Sequence, residues 1–129
     1  MGHGGSEFLK RVGPSADCGQ RIQFLRRESE IDQYLVWEPL GPFLIITPGN
    51  IPMHSWSSFV PYALAAGCSV VVSPSRQDPV AAEIICKVAL EAGWPKGAIN
   101  LVHGGRNINN FILSQNEIQG LGFIGSTEA

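Results

Sequence analysis

Cysteine is scarce in this sequence, and the little there is follows no pattern. Cys18, Cys68 and Cys86 are an odd number at wide spacings with no CxxC, which speaks against a disulfide framework and a cysteine zinc site. A reducing compartment is the simplest reading, the cytoplasm or an organellar matrix. Long apolar runs are missing too. Pro48, Asn50, Pro52 and Pro61 interrupt the most apolar region far short of the roughly 20 residues of a spanning helix, so no membrane segment is expected, and no secretory signal is read. Neither sign of charge dominates. Eleven acidic and nine basic side chains leave a net charge of -2, with no like-charge block longer than a pair such as Arg26-Arg27. The electrostatic footprint of a nucleic-acid partner is therefore absent. His54 and His103 lack partners at metal-ligand spacing and read as surface or turn residues, and no metal site is expected. The dinucleotide fingerprint GxGxxG is also absent.

What is present suits one modest core. A chain of 129 residues that is 44% hydrophobic is a single globular unit or part of one. Residues 1–20 read as a leader and flexible segment: MGHGGSEF matches the loose myristoylation pattern through Gly2 and Ser6, and equally a Gly/Ser-rich leader outside the fold. Residues 21–37 read as a β-hairpin, with strands at Arg21 to Leu25 and Tyr34 to Trp37 and a solvated, charged connection from Arg26 to Asp32. From residue 38 to 129 the pattern changes. Phe43 to Ile46, Ser69 to Ser73, Ile99 to Val102 and Gly120 to Ile124 are short, continuously apolar strands. Helices are predicted between them, from Met53 to Ala66 with Pro61 inside and Gly67 as stop, from Asp78 to Ala92 with Gly93 as stop, and from Asn107 to Ser114. In the second, Asp78 is the predicted N-cap, Pro79 the first helical residue, and Val80, Ile84, Val88 and Ala92 one apolar face. Uniformly apolar strands alternating with helices give an α/β fold, a parallel Rossmann-like sheet with helices on both faces and right-handed crossovers. Ligands of such sheets lie beyond the carboxyl ends of the strands, here Thr47-Pro48-Gly49-Asn50, Ser73-Pro74-Ser75-Arg76, His103-Gly104-Gly105 and Gly125-Ser126.

Those same turns carry a family pattern. Glu38-Pro39-Leu40-Gly41, Thr47-Pro48-Gly49-Asn50-Ile51-Pro52, Pro61 to Gly67, Val70-Val71-Val72 with Pro74-Ser75, Glu91-Ala92-Gly93 to Asn100, and Phe123-Ile124-Gly125-Ser126-Thr127-Glu128 follow one another in register. Over residues 34 to 129 the chain resembles the aldehyde dehydrogenase superfamily, as the N-terminal part of its coenzyme-binding domain. The resemblance implies an oxidoreductase that oxidises an aldehyde to an acid or acyl-CoA and passes hydride to NAD or NADP. It also makes the 21–37 hairpin similar to an oligomerisation arm, with a homo-oligomeric parent enzyme.

The implied roles fall on particular residues. Asn50 resembles the amide that stabilises the oxyanion formed when a thiolate attacks the aldehyde, whereas the bare sequence equally makes it a turn former. Gly125-Ser126 resembles the turn that binds the coenzyme pyrophosphate on backbone N–H groups, and on pattern alone it is an ordinary strand end. Ile46, Thr47, Pro48, Ser73, Ser75, Arg76, Gly104 and Phe123 complete the implied coenzyme contacts. Ser73 and Arg76 depart from the family, which has a lysine and a glutamate there to hold the adenosine ribose; a guanidinium in that place suits a 2′-phosphate. Cys68 and Cys86 read as small buried residues rather than nucleophiles. The family's catalytic cysteine and glutamate lie beyond the phosphate turn, so these residues are expected to show no dehydrogenase activity alone and to leave apolar surface uncovered. The altered ribose turn also suits a non-catalytic assembly module with a degenerate coenzyme fold, and a generic flavodoxin-like nucleotide-binding domain fits the element order. The segment from Ile99 to Gly104 with Asn110-Phe111-Ile112 is similar to the semialdehyde dehydrogenases that acylate coenzyme A.

Overall fold

The computed structural model describes residues 21–28 and 31–126, and side chains from Trp37 onward. The leader reading of residues 1–20 and the part of the Phe123-to-Glu128 match beyond Ser126 fall outside the described residues. Strand β1 (Arg21–Glu28) pairs antiparallel with β2 (Ile31–Trp37), from Arg21 opposite Trp37 to Glu28 opposite Ile31, with one irregularity between Phe24 and Arg26. The expected hairpin forms, but most of its charged connection is strand. Backbone N–H and C=O groups pair whatever side chains they carry, and charge alone does not mark the end of a ribbon.

The remainder runs β3 (Phe43–Thr47), α1 (Pro52–Ala65), β4 (Val70–Pro74), α2 (Val80–Glu91), β5 (Ile99–Leu101), α3 (Arg106–Leu113) and β6 (Gly120–Phe123). The four strands form a parallel sheet in the order β5-β4-β3-β6. The chain thus steps from β3 to β4 to β5 in one direction and then returns to place β6 on the other side of β3. Right-handed crossovers put α1 and α2 on one face and α3 on the opposite one. Side-chain parity agrees. Ile45, Val70 and Val72 pack with Val60 and Leu64 of α1 in the buried core, whereas the alternating Ser73 bonds to Asn109 of α3.

Strand β6 carries glycines where its neighbours carry rings. A Cβ at Gly120 would fall on the Phe43 ring, and one at Gly122 would stand 3.0 Å from the Phe59 ring. Two aromatic rings therefore lie flat against this edge of the sheet. An apolar hollow of about 490 Å³ remains beside them, bordered by Trp37, Leu40, Tyr62 and Leu121.

Helix α1 contains Pro61, which is buried, without ending there. Both long helices stop as their glycines predict. Cys68 N–H bonds to Ala63 O and Gly67 N–H to Leu64 O, and the same pair of bonds joins Trp94 to Ala89 and Gly93 to Leu90. These are Schellman turns, with Gly67 and Gly93 in the left-handed region at φ +82° and +86°. Their surroundings differ: a Cβ at Gly93 meets nothing within 4 Å, whereas one at Gly67 meets Pro39 Cγ at 2.8 Å. Gly93→Ala is expected to cost about 1 kcal/mol from backbone strain alone, and Gly67→Ala about 1 kcal/mol more. Urea midpoints of the two variants check this, and equal losses would show that Pro39 yields freely.

Helix α2 departs from the sequence reading in two ways. Its first residue is Val80, preceded by Pro79 already in helical geometry, and Asp78 Oδ1 accepts from Ala81 N–H at a long 3.5 Å. Asp78 therefore caps, but weakly. The stripe of Val80, Ile84 and Val88 does share a face, yet that face is exposed, at 55–57% of full accessibility. Ala82 and Ala89 are buried instead. Small residues let the helix lie close to β5 and α1, a choice that apolar periodicity does not distinguish from a face lined by larger side chains.

Candidate functional site

All four parallel strands end on the same edge of the sheet, and the turns leaving them enclose a cleft of about 500 Å³. The cleft sits where the strand order reverses, between β3 and β6, the position at which open α/β sheets hold ligands. Its walls are Thr47-Pro48-Gly49-Asn50 after β3, Pro74-Ser75-Arg76-Gln77 after β4, Gly104-Gly105 after β5, and Ile124-Gly125-Ser126 after β6, with Ile46, Phe123 and Asn109 inside. Among the described residues no carboxylate lines it.

Each wall is fixed by local bonding. In the first, Ser55 donates to Ile51 O through both its backbone N–H (3.1 Å) and its Oγ (3.0 Å), and Pro52 opens α1, so Asn50 stands exposed just before the helix. In the second, Ser75 Oγ accepts from Gln77 N–H at 3.2 Å. The first two walls touch: a Cβ at Gly49 would lie 2.8 Å from Gln77 Oε1 and 3.1 Å from Ser75 Oγ, so glycine is required for the turns to close up. Ile124 N–H reaches Ile46 O at 3.4 Å and ties the fourth wall to the floor.

The sequence-derived site residues Ile46, Thr47, Pro48, Asn50, Ser75, Arg76, Gly104, Phe123, Gly125 and Ser126 all border this one cleft. Ser73 does not. Its side chain is 1% exposed and its Oγ donates to Asn109 Oδ1 at 2.6 Å, because strand alternation turns it beneath α3 rather than toward the opening. Sequence reasoning put Gly49, Gly105 and Ile124 in the right turns without giving them a role, and it missed Gln77 and Asn109. It also missed a hollow of about 390 Å³ on the α3 face, lined by Arg106, Asn110, Leu113 and Leu121 and sharing Ile46, Asn109 and Phe123 with the main cleft.

The remaining reactive groups lie elsewhere. Cys68 is buried where α1 turns into β4, and Cys86 sits on α2, where burial pushes its thiol up from the ordinary value and away from the thiolate form. Neither borders the cleft. His103 Nε2 pairs with Glu83 Oε1 at 3.0 Å, both half-exposed. Among the described residues there is no group of three metal-ligating side chains, and no helix is long and apolar enough to cross a membrane.

A parallel sheet of this order with a glycine-walled cleft at its switch point is common to several dinucleotide-binding families, and comparison with known proteins selects among them. The model of the aldehyde dehydrogenase family matches residues 6–129. The chain belongs to the aldehyde dehydrogenase family. Among relatives of this aldehyde dehydrogenase chain, a probable methylmalonate-semialdehyde/malonate-semialdehyde dehydrogenase [acylating], mitochondrial, of Caenorhabditis elegans is 35% identical over 116 residues, 90% of this chain and 22% of the relative. Malonate-semialdehyde dehydrogenase 1 of Bacillus licheniformis is 41% identical over 92 residues, 70% of this chain and 19% of the relative. The solved NAD+ complex of an aldehyde dehydrogenase from Bacillus cereus superposes with a TM-score of 0.71 at 32% identity, covering 84% of this chain and 22% of that one. The chain thus spans about a fifth of the length of the relatives it matches.

Proposed function

We propose that this chain forms the coenzyme-holding part of an NAD(P)-dependent semialdehyde dehydrogenase, acting on a short aldehyde that carries a carboxylate. The observation that supports it most is the cleft at the switch point, where ten of the eleven residues singled out from sequence converge. The residues fit a dinucleotide. Glycines at 49, 104, 105 and 125 keep backbone exposed along the walls, and any Cβ at these positions would collide with a neighbour. Gly125 and Ser126 offer backbone N–H groups to a pyrophosphate, Ile46, Thr47 and Pro48 form the floor, and Ser75 and Arg76 stand at the ribose side. When bound, the coenzyme supplies the hydride acceptor. Asn50, which borders the cleft, donates to the aldehyde oxygen as it gains negative charge. The attacking thiolate comes from neither Cys68 nor Cys86, which lie outside the cleft. The β1–β2 hairpin serves as an assembly arm in a homo-oligomer.

Semialdehyde substrates come from the names of the relatives, and the term acylating in the worm relative's name makes coenzyme A the first acyl acceptor to test. Titration of the protein with NAD and NADP, read through tryptophan fluorescence, is expected to give saturable binding of at least one of them. Binding of neither at millimolar concentration overturns this reading.

A further inference from the structure

The cleft's charge points beyond coenzyme binding to a choice between coenzymes. We infer that Arg76 selects a 2′-phosphorylated coenzyme, NADP over NAD, an inference that rests on the cleft being the coenzyme site. In dinucleotide-binding sheets the ribose is read at the end of the strand that follows the first βα unit: a carboxylate there accepts the 2′-hydroxyl of NAD, and an arginine accommodates the 2′-phosphate of NADP. Here that strand is β4, and its end carries Ser73-Pro74-Ser75-Arg76.

Three observations converge on Arg76. The first is the missing acid. Among the described residues lining the cleft there is neither a carboxylate to accept a ribose hydroxyl nor a negative charge to repel a phosphate dianion. Ser73, the other residue that departs from a ribose clamp, has its hydroxyl committed to Asn109 Oδ1 at 2.6 Å.

The second is the place of the guanidinium. It lies across Gly105, where a Cβ would stand 2.5 Å from Arg76 Nη2 and 2.8 Å from Cζ. Glycine at 105 leaves the head group room there, between the second and third walls of the cleft. A planar fork matches phosphate oxygens bidentately, which a lysine in the same place does not.

The third is that nearby acids are engaged elsewhere. Asp78 Oδ1 accepts from Ala81 N–H and Glu83 Oε1 pairs with His103 Nε2, and Arg76 has no ion-pair partner among the described residues. Its charge is therefore directed at whatever enters the cleft, without a carboxylate to displace first.

Equilibrium titration of the protein with NADP, NAD, 2′,5′-ADP and 5′-AMP tests this without any turnover. NADP is expected to bind about 10- to 100-fold tighter than NAD, and 2′,5′-ADP tighter than 5′-AMP by a similar factor, as a charge-assisted phosphate contact provides. In Arg76→Glu the NADP-to-NAD preference reverses, and in Arg76→Lys it is retained in part; because each ratio is measured within one variant, a general loss of fold does not mimic it. Equal or tighter binding of NAD by the unaltered protein overturns the inference and leaves the coenzyme reading standing, as does an unchanged ratio in Arg76→Glu. Failure of all four ligands to bind overturns the coenzyme reading and this inference together.

Discussion

Exchange of Asn50 for alanine is expected to lower kcat for aldehyde oxidation by the full-length protein about 10²- to 10³-fold, the cost of removing one oxyanion donor. The residue is exposed, so the effect does not come from the core. Its place comes from its neighbours: Ser55 closes on Ile51 O with two bonds, Pro52 fixes the first turn of α1, and the buried Thr47 anchors the other end of the loop. A donor on such a loop keeps its orientation before substrate arrives, which is what makes it effective on developing charge. The turn-forming alternative predicts something different. A turn residue replaced by alanine costs about 1 kcal/mol of stability and leaves kcat within a few fold. Measuring kcat, KM and the thermal midpoint of the one variant separates the two, since an oxyanion role moves kcat at constant midpoint and a turn role moves the midpoint. Asn50→Asp sharpens the contrast: it keeps the turn chemistry while replacing a donor by an anion, so kcat is expected to fall at least as far as in the alanine variant.

The sheet and the location of its cleft were legible because they depend on features that sequence states directly. Phe43 to Ile46 and Val70 to Val72 are unbroken apolar runs, which only a strand buried on both faces tolerates, and Gly67 and Gly93 mark helix ends that need a left-handed residue. Once the strands are parallel, their ends gather on one edge, and residues as distant as Thr47 and Ser126 become neighbours. What stayed hidden depends on which way a side chain turns. Ser73 looked like a site residue because it stands where the family has a ribose-holding lysine, and strand alternation turns it under α3. Val80, Ile84 and Val88 looked like a core face, and the two alanines that face inward carry too little apolar signal to stand out. Gln77 enters the cleft only because turns after different strands abut, and no spacing within one segment encodes that. The residues that align in register with the family are legible from resemblance; the ones that complete the cleft are legible only in three dimensions.

Val72→Asp is expected to remove the folded state at neutral pH. Val72 is fully buried in the middle of β4, hydrogen-bonded to both β3 and β5, and packed with Ile45, Val60, Leu64 and Val70. The five buried members of that cluster are all apolar, and the indole of Trp56 packs against them. An ionised carboxylate there would lose its hydration without gaining a counter-charge from the cluster, and the penalty of several kcal/mol is comparable with the 5–15 kcal/mol that holds a domain of this size together. Loss of the valine's own packing adds about 1–2 kcal/mol. The sign of the pH dependence follows from the same burial. Desolvation raises the aspartate's folded-state pKa above its unfolded value near 4, so the folded form binds the proton more tightly and stability falls as pH rises from that unfolded value through the raised one. The variant is therefore expected to be least unstable below about pH 4, relative to unaltered protein at the same pH, and most unstable at pH 7. Circular dichroism melts of both proteins at pH 4 and pH 7 check it. A cooperative transition at pH 7 within a few degrees of the unaltered protein's would mean that water reaches the carboxylate, and that the space between α1 and the β3–β4 pair is not the dry core on which the cleft is built.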